Sequence, residues 1–264
     1  MLENRDYFEA YLEHFPDAPS LVLVRSVELK NFPKELISQP VLDLCCGDGF
    51  FSKCLGLTEI YGCDIDKSAI KKAEDTKVYK KLAVCDVRDL SVYPDAYFRT
   101  ILSNCALEHV DGISDVLSEV GRVLQKDGSL VMTVPGKLLL DAFPPKKLFH
   151  SIGIRRLGQR LLAKYNEKQA HRNVLSLNQW EELLNNAGLK IFYHFYLFDE
   201  GSYRVVMLCD WLLTLRISNI TGRFFSLVIP CWARKRFWRR ILKQLYLKST
   251  PLEKGGELVI VAKK

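Results

Sequence analysis

VLDLCCGDGFFS, residues 41–52, is the stretch on which the reading of the whole chain turns. Val41, Leu42 and Leu44 form a short apolar strand whose one charge is Asp43, so the strand must be buried. Gly47 and Gly49 follow and remove side chains from a turn where backbone can come close to a ligand. A helix opening near Phe50 directs its unpaired N–H groups and positive dipole end at whatever lies over that turn. A dinucleotide fingerprint would place G-x-G-x-x-G here, but Gly47-Asp48-Gly49-Phe50-Phe51-Ser52 lacks the third glycine. Asp43 and Asp48 are also poor company for a pyrophosphate, and they suit a ligand with hydroxyls or positive charge.

Residues 43–49, DLCCGDG, resemble motif I of the class I S-adenosylmethionine-dependent methyltransferases, D-x-G-x-G-x-G, with Cys45 standing at the first glycine. The resemblance implies S-adenosyl-L-methionine as cofactor, a ligand with a sulfonium, an ammonium, a carboxylate and a ribose but no phosphate. It implies an α/β fold with a Rossmann-like seven-stranded sheet in the order 3-2-1-4-5-7-6, the last strand antiparallel and helices on both faces.

The chain's own periodicity agrees. Strands are expected at 40–45, 60–66, 78–87, 100–104 and 129–134, with helices at 49–55, 67–75 and 113–124 between them. Ser176 reads as an N-cap, with Trp180, Leu183 and Leu184 on the buried face of the helix it opens and Gly188 ending it. Strands at 189–198 and 257–264 complete the set. The resemblance covers 38–135 best, then 174–198 and 257–264. Residues 1–37 read as an N-terminal helical segment broken at Pro16 and Pro19, and 38–264 as the methyltransferase domain, with insertions at 137–172 and 199–255.

In open α/β sheets ligands sit at the carboxyl ends of the strands, and the acids of this chain occupy those ends. By resemblance, Asp64, with Ile65 beside it and Asp66 as a near substitute, binds the ribose hydroxyls. Asp86 and Val87 meet the adenine. Ser103 and Asn104 meet the amino-acid part, and Asp43 with the backbone of Cys45, Gly47 and Gly49 faces the methionine moiety. Methyl transfer from a sulfonium is an in-line displacement, and a base assists when the acceptor is a hydroxyl. Candidates are Glu108 and His109, just past the fourth strand, and His171. Relatives that hold a metal with E-x-x-E-H would place their first ligand where Cys105 stands, so no metal is expected. SNCALEHV after the fourth strand differs from the Asn-Pro-Pro-Tyr signature of amino-methylating relatives and favours O- or C-methylation of a small or lipid-like acceptor. A protein or RNA methyltransferase, and a non-catalytic cofactor-binding regulator, remain the alternatives.

Eight cysteines without a C-x-x-C pair, and an acidic, polar stretch at 1–17, lead to the expectation of a cytoplasmic protein with reduced thiols. The net charge of +7 is unevenly placed: residues 201–250 hold ten Lys/Arg against one acid, Asp210. There, Phe237, Trp238, Ile241, Leu242 and Leu245 are expected on one helical stripe, with Arg236, Arg239, Arg240 and Lys243 away from it. Upstream, Val205–Leu208, Trp211–Leu213 and Phe224–Trp232 are strongly apolar. Two readings stay open: docking on an anionic membrane surface through 201–250, or a lid of packed helices with a solvated basic face. Nucleic acid is the weaker partner. Oligomeric state is not legible in the sequence.

Overall fold

The computed structural model describes residues 6–217 and 230–264, with side chains for 6–211 and 230–264. The apolar stretch 224–229 and the side chains of Leu212 and Leu213 lie outside the described residues. The chain divides into two compact units: residues 32–136, 172–196 and 257–264 form a sheet unit, and 1–31, 137–171 and 197–256 a helical unit.

In the sheet unit the elements are β1 (Val41–Leu44), α3 (Phe50–Leu55), β2 (Ile60–Asp64), α4 (Lys67–Glu74) and β3 (Tyr79–Val84). They continue with β4 (Phe98–Asn104), α5 (Ile113–Val123), β5 (Leu124–Pro135), α9 (Leu177–Asn186), β6 (Lys190–Leu197) and β7 (Glu257–Lys263). The strands form one seven-stranded sheet in the order β3-β2-β1-β4-β5-β7-β6, the order implied by the resemblance. β1 is parallel to both neighbours, with Leu42 opposite Tyr61 and Ile101. β7 runs antiparallel to β5, with Glu257 opposite Pro135. The strand order reverses at β1, so right-handed crossovers put α3 and α4 on one face and α5 on the other. All four residues of β1 are buried, and its leucines share a core with Val116, Leu117 and Val120 of α5 and Trp180 and Leu184 of α9. Ser176 caps α9 in a reciprocal capping box with Gln179.

Two strand boundaries differ from expectation. β5 begins at Leu124 rather than after Gly128: Leu124 pairs with Phe98 and Ser129 with Thr100, so residues 125–128 bulge out of one continuous strand. β3 ends at Val84, because Asp86 turns its carboxylate back onto the N–H of Arg88 and closes a turn.

The helical unit holds α1 (Tyr7–His14), α2 (Pro19–Asn31), α6 (Leu138–Ala142), α7 (Pro144–Ser151), α8 (Arg155–Lys168), α10 (Glu200–Ile217) and α11 (Cys231–Lys248) among its described residues. Asp210, the acid that interrupts the apolar run of α10, is an anchor. It accepts hydrogen bonds from Tyr165 Oη at 2.5 Å, from Ser20 Oγ at 3.0 Å and from the side-chain amide of Gln169. Lys30 donates to the carbonyls of Tyr246, Leu247 and Ser249 at 2.8–3.0 Å, placing a cation on the negative end of α11.

The expected stripe on α11 is split. At 100° per residue, Leu242 faces inward, buried, with Trp238 and Leu245 partly covered, while Phe237 and Ile241 lie a quarter-turn away and are exposed. Arg239 and Lys243, expected on the solvated side, instead face the acids of the N-terminal segment. Glu9 receives Arg239 at 2.8 Å and Lys243 at 3.2 Å, Asp17 receives Arg234 at 2.7 Å, and Asp6 and Glu13 pair with Lys243 and Lys235. The Arg239 hydrogen bonds, then those of Lys243, hold the Glu9 carboxyl below its usual range. The basic segment thus spends part of its charge inside the molecule.

Single exposed ion pairs contribute about 0.2–1 kcal/mol each. Glu9→Ala, which removes a partner of both Arg239 and Lys243, is expected to lower the unfolding free energy by about 1 kcal/mol at low salt and by much less in ~1 M NaCl. Chemical denaturation at the two salt concentrations measures this.

Candidate active site

The turn after β1 is fastened to the end of β2. Asp64 Oδ2 accepts the N–H of Gly47 at 2.9 Å, its Oδ1 accepts the N–H of Asp66 at 2.9 Å, and the N–H of Cys46 bonds to the carbonyl of Cys63 at 2.9 Å. Each carboxylate oxygen of Asp64 keeps a second lone pair for a ligand hydroxyl. Gly47 has φ +55°, and a Cβ built there would meet nothing within 4 Å, so the backbone is open to close approach. Gly49, at φ +72°, is glycine for a different reason: a Cβ would lie 2.7 Å from the ring of Tyr79. Cys45, at the position where the family pattern has its first glycine, adopts φ +58°, a left-handed conformation that strains a side-chain-bearing residue by roughly 1–2 kcal/mol. Ile65 is 71% exposed and presents an aliphatic surface directly beside Asp64.

The acids of β1 and of the turn each accept hydrogen bonds from the protein. Asp43 is buried, and its Oδ2 accepts both Ser52 Oγ and Tyr79 Oη at 2.6 Å, tying β1 to α3 and β3. Burial pushes its carboxyl up from 3.8 to about 6, against the lowering effect of those two hydroxyls. Asp48 Oδ1 accepts the N–H of Phe50 at 3.0 Å, so the first donor of α3 is satisfied internally. Beyond β3, Asp86 is chelated by Arg88, with Nε at 3.0 Å and Nη2 at 2.6 Å, which holds its carboxyl below the usual range; Val87 is buried.

At the end of β4, Asn104 Nδ2 donates to Thr133 Oγ1 at 2.6 Å, and the Cys105 N–H bonds to the Thr133 carbonyl at 2.9 Å. A single helical turn, Leu107–His109, follows. Glu108 is buried, and His109, with a half-exposed ring, places Nε2 3.6 Å from Glu108 Oε1. Asn173 clamps this turn, donating from Nδ2 to the carbonyls of Leu107 and Val110 at 2.7 Å, while the N–H groups of Arg172 and Asn173 reach the carbonyl of Glu108. His171 belongs to the helical unit, where its ring lies edge-on to Tyr165.

One acid at this edge escaped sequence reasoning. Glu257 opens the antiparallel β7, so it lies beside Pro135 at the carboxyl end of the parallel strands. It is buried and accepts a hydrogen bond from Cys105 Sγ at 3.2 Å. The available signal was a lone charge at the head of the apolar run ELVIVA.

Residues 42–132 match the Methyltransferase domain family. A malonyl-[acyl-carrier protein] O-methyltransferase from Paenibacillus sp. (strain JDR-2) is 27% identical over 188 residues, covering 65% of this chain and 62% of that protein. The chain therefore spans less than two thirds of that relative's length. Among solved structures, a methyltransferase from Thermotoga maritima superposes with a TM-score of 0.58 at 14% identity, covering 98% of this chain and 96% of the other. The [4+2]-cyclase SpnF does so with a TM-score of 0.55 at 17% identity, covering 90% and 80%. Residues 42–132 therefore carry a methyltransferase domain on the class I S-adenosylmethionine-dependent fold, and S-adenosylmethionine is the cofactor of that domain. The cyclase is a reminder that this fold carries more than one chemistry.

Because the folded protein holds the Asp43 proton more tightly than the unfolded chain does, the stabilisation from this residue is full below pH 3.8 and is lost as pH rises through 6. Charged Asp43 then costs about 3 kcal/mol at neutral pH. Carbon-detected NMR titration should place the midpoint of the Asp43 carboxyl near 6; a midpoint near the ordinary aspartate value would contradict the burial argument.

Proposed function

We propose that this chain transfers the methyl group of S-adenosylmethionine to a hydroxyl or carbon of a small or lipid-like acceptor. The observation that carries this reading is the Asp64–Gly47 bond, which sets an open glycine backbone, a hydroxyl-binding carboxylate and the exposed Ile65 at one strand edge. Asp64 would take the ribose hydroxyls and Ile65 would cover the adenine. Asp86 and Val87 would border the adenine edge, and Asn104 with the 45–49 backbone would hold the amino-acid part. Asp43 supports the turn from beneath.

S-adenosylmethionine supplies a methyl group already activated on a sulfonium, which leaves as a neutral thioether. The chain's residues then align the acceptor and manage one proton. His109 would take the acceptor's hydroxyl proton as the new C–O bond forms, and the charge of the Glu108 carboxylate, whose Oε1 lies 3.6 Å from Nε2, would stabilise the imidazolium. The base assignment goes to His109 rather than His171, because His109 directly follows the strand that carries Asn104. The name of the Paenibacillus relative records O-methylation of a malonyl group on an acyl carrier, which supports an oxygen acceptor on an acyl or lipid-like molecule.

The acceptor reading includes a membrane surface. The exposed face of α11 alternates Trp232, Phe237, Ile241 and Leu247 with Arg236, Arg240 and Lys248, large apolar groups beside cations that the acids of α1 do not reach. No helix among the described residues is long and apolar enough to cross a membrane.

Incubating the protein and methyl-labelled S-adenosylmethionine with a cell extract, then separating lipid, small-molecule, RNA and protein fractions, tests the reading. Label is expected in the lipid or small-molecule fraction. Label in RNA or protein points to the macromolecular alternative, and label in none to a cofactor-binding regulator.

A further inference from the structure

α7 and α8 form a helical hairpin whose turn, Ile152-Gly153-Ile154, projects apolar residues. Every residue from 150 to 157 is exposed. Leu148 is 60% exposed, Ile152 58%, Ile154 50% and Leu157 38%. The hairpin is braced. Ile154 N–H bonds to the Phe149 carbonyl at 2.8 Å and Gly153 N–H to the His150 carbonyl at 3.2 Å, and Gly158 lets α8 close against the backbone of Lys146, which a Cβ would press at 3.0 Å. These aliphatic side chains are therefore held out by a built turn.

The charge around them has one sign. Between residues 142 and 166 there is no Asp or Glu, while Lys146, Lys147, Arg155, Arg156, Arg160 and Lys164 are all cationic. Lys146 and Lys147 are paired with Asp141 and Glu200 at the base of the hairpin, and Arg155, Arg156 and Arg160 lie on the first two turns of α8, next to the tip. Exposed aliphatic groups at a tip, with arginines beside them on the first two turns of α8, match the two layers of an anionic bilayer surface, acyl chains beneath phosphates. Nucleic acid fits less well: stacking on bases calls for aromatic rings, and the large exposed apolar residues of the tip are all aliphatic.

We propose that the α7–α8 tip inserts Ile152 and Ile154 into an anionic lipid bilayer, with Arg155, Arg156 and Arg160 at the level of the lipid phosphates. This deepens, and rests on, the reading that the protein meets its acceptor at a membrane surface, and it assigns the anchoring to an element separate from α11.

Co-sedimentation of the full chain with vesicles of phosphatidylcholine plus phosphatidylglycerol, and of phosphatidylcholine alone, tests it. The proteins are wild type, Ile152→Asp/Ile154→Asp and Phe237→Asp/Ile241→Asp, each checked for unchanged S-adenosylmethionine binding by calorimetry. The wild type is expected to bind the anionic vesicles and not the neutral ones. The tip variant should bind at least about tenfold more weakly, and the α11 variant should keep more binding than the tip variant. A tip variant that binds like wild type overturns the proposal and leaves the membrane reading standing. A wild type that binds no vesicle overturns both, while intact cofactor binding keeps the methyltransferase assignment separate. Tip-dependent binding to polyglutamate without binding to vesicles overturns the lipid assignment and gives the surface to an acidic protein.

Discussion

The carboxylate of Asp64, holding the N–H of Gly47 at the end of β2, is the interaction on which the site depends. The turn between β1 and α3 contains three residues at positive φ, Cys45, Gly47 and Gly49, and such a backbone has no repetitive hydrogen-bond pattern to fix it. The end of β2 supplies the acid and the turn after β1 supplies the amide, so the parallel pairing of β1 with β2 is what makes the bond geometrically available. An orphaned amide in its place would cost about 1–3 kcal/mol. The same carboxylate is the group proposed to meet the ribose hydroxyls, which would make one residue both brace and ligand. Beneath it, Asp43 is a brace between β1, α3 and β3, at the expense of an ionised group in a buried place.

The helical unit is organised by charge as much as by packing. The acids of the N-terminal segment and the bases of α11 run antiparallel, Asp6 with Lys243 at one end and Asp17 with Arg234 at the other. Asp210 gathers hydroxyl and amide donors from α2 and α8 and from Gln169 just past its end. What remains for the outside is selective: a mixed apolar and cationic face on α11, and the aliphatic tip of the α7–α8 hairpin. On α11 and at the hairpin tip, cations outside the ion pairs with α1 stand beside exposed hydrophobic groups.

Elements with local signatures were legible in the sequence. The glycine turn, the capping box at Ser176 and the succession of apolar strands ending in acids each depend on residues close in the chain, and periodicity reports them. Long-range contacts were not legible. The bracing of Asp43 was not visible because Tyr79, thirty-six positions away, gives no local sign that it will donate to it. The stripe on α11 looked continuous because helical spacing alone does not say where a partner helix cuts across it, and the acids of α1 drew Arg239 and Lys243 to the packed side. Glu257 was missed although the expected antiparallel last strand already brings its first residue to this edge, because its hydrogen bond from Cys105, 152 positions away, leaves no local sign.

Asp64 is proposed to join the turn to the cofactor. Calorimetric titration of S-adenosylmethionine into the wild type and Asp64→Ala tests it most directly, with circular dichroism confirming that both are folded. Measurable binding by the wild type and a loss of about a hundredfold or more in the variant are expected, since the proposed charged acceptor for two hydroxyls and the brace on Gly47 disappear together. An Asp64→Ala protein that is folded and binds S-adenosylmethionine as tightly as the wild type would contradict it.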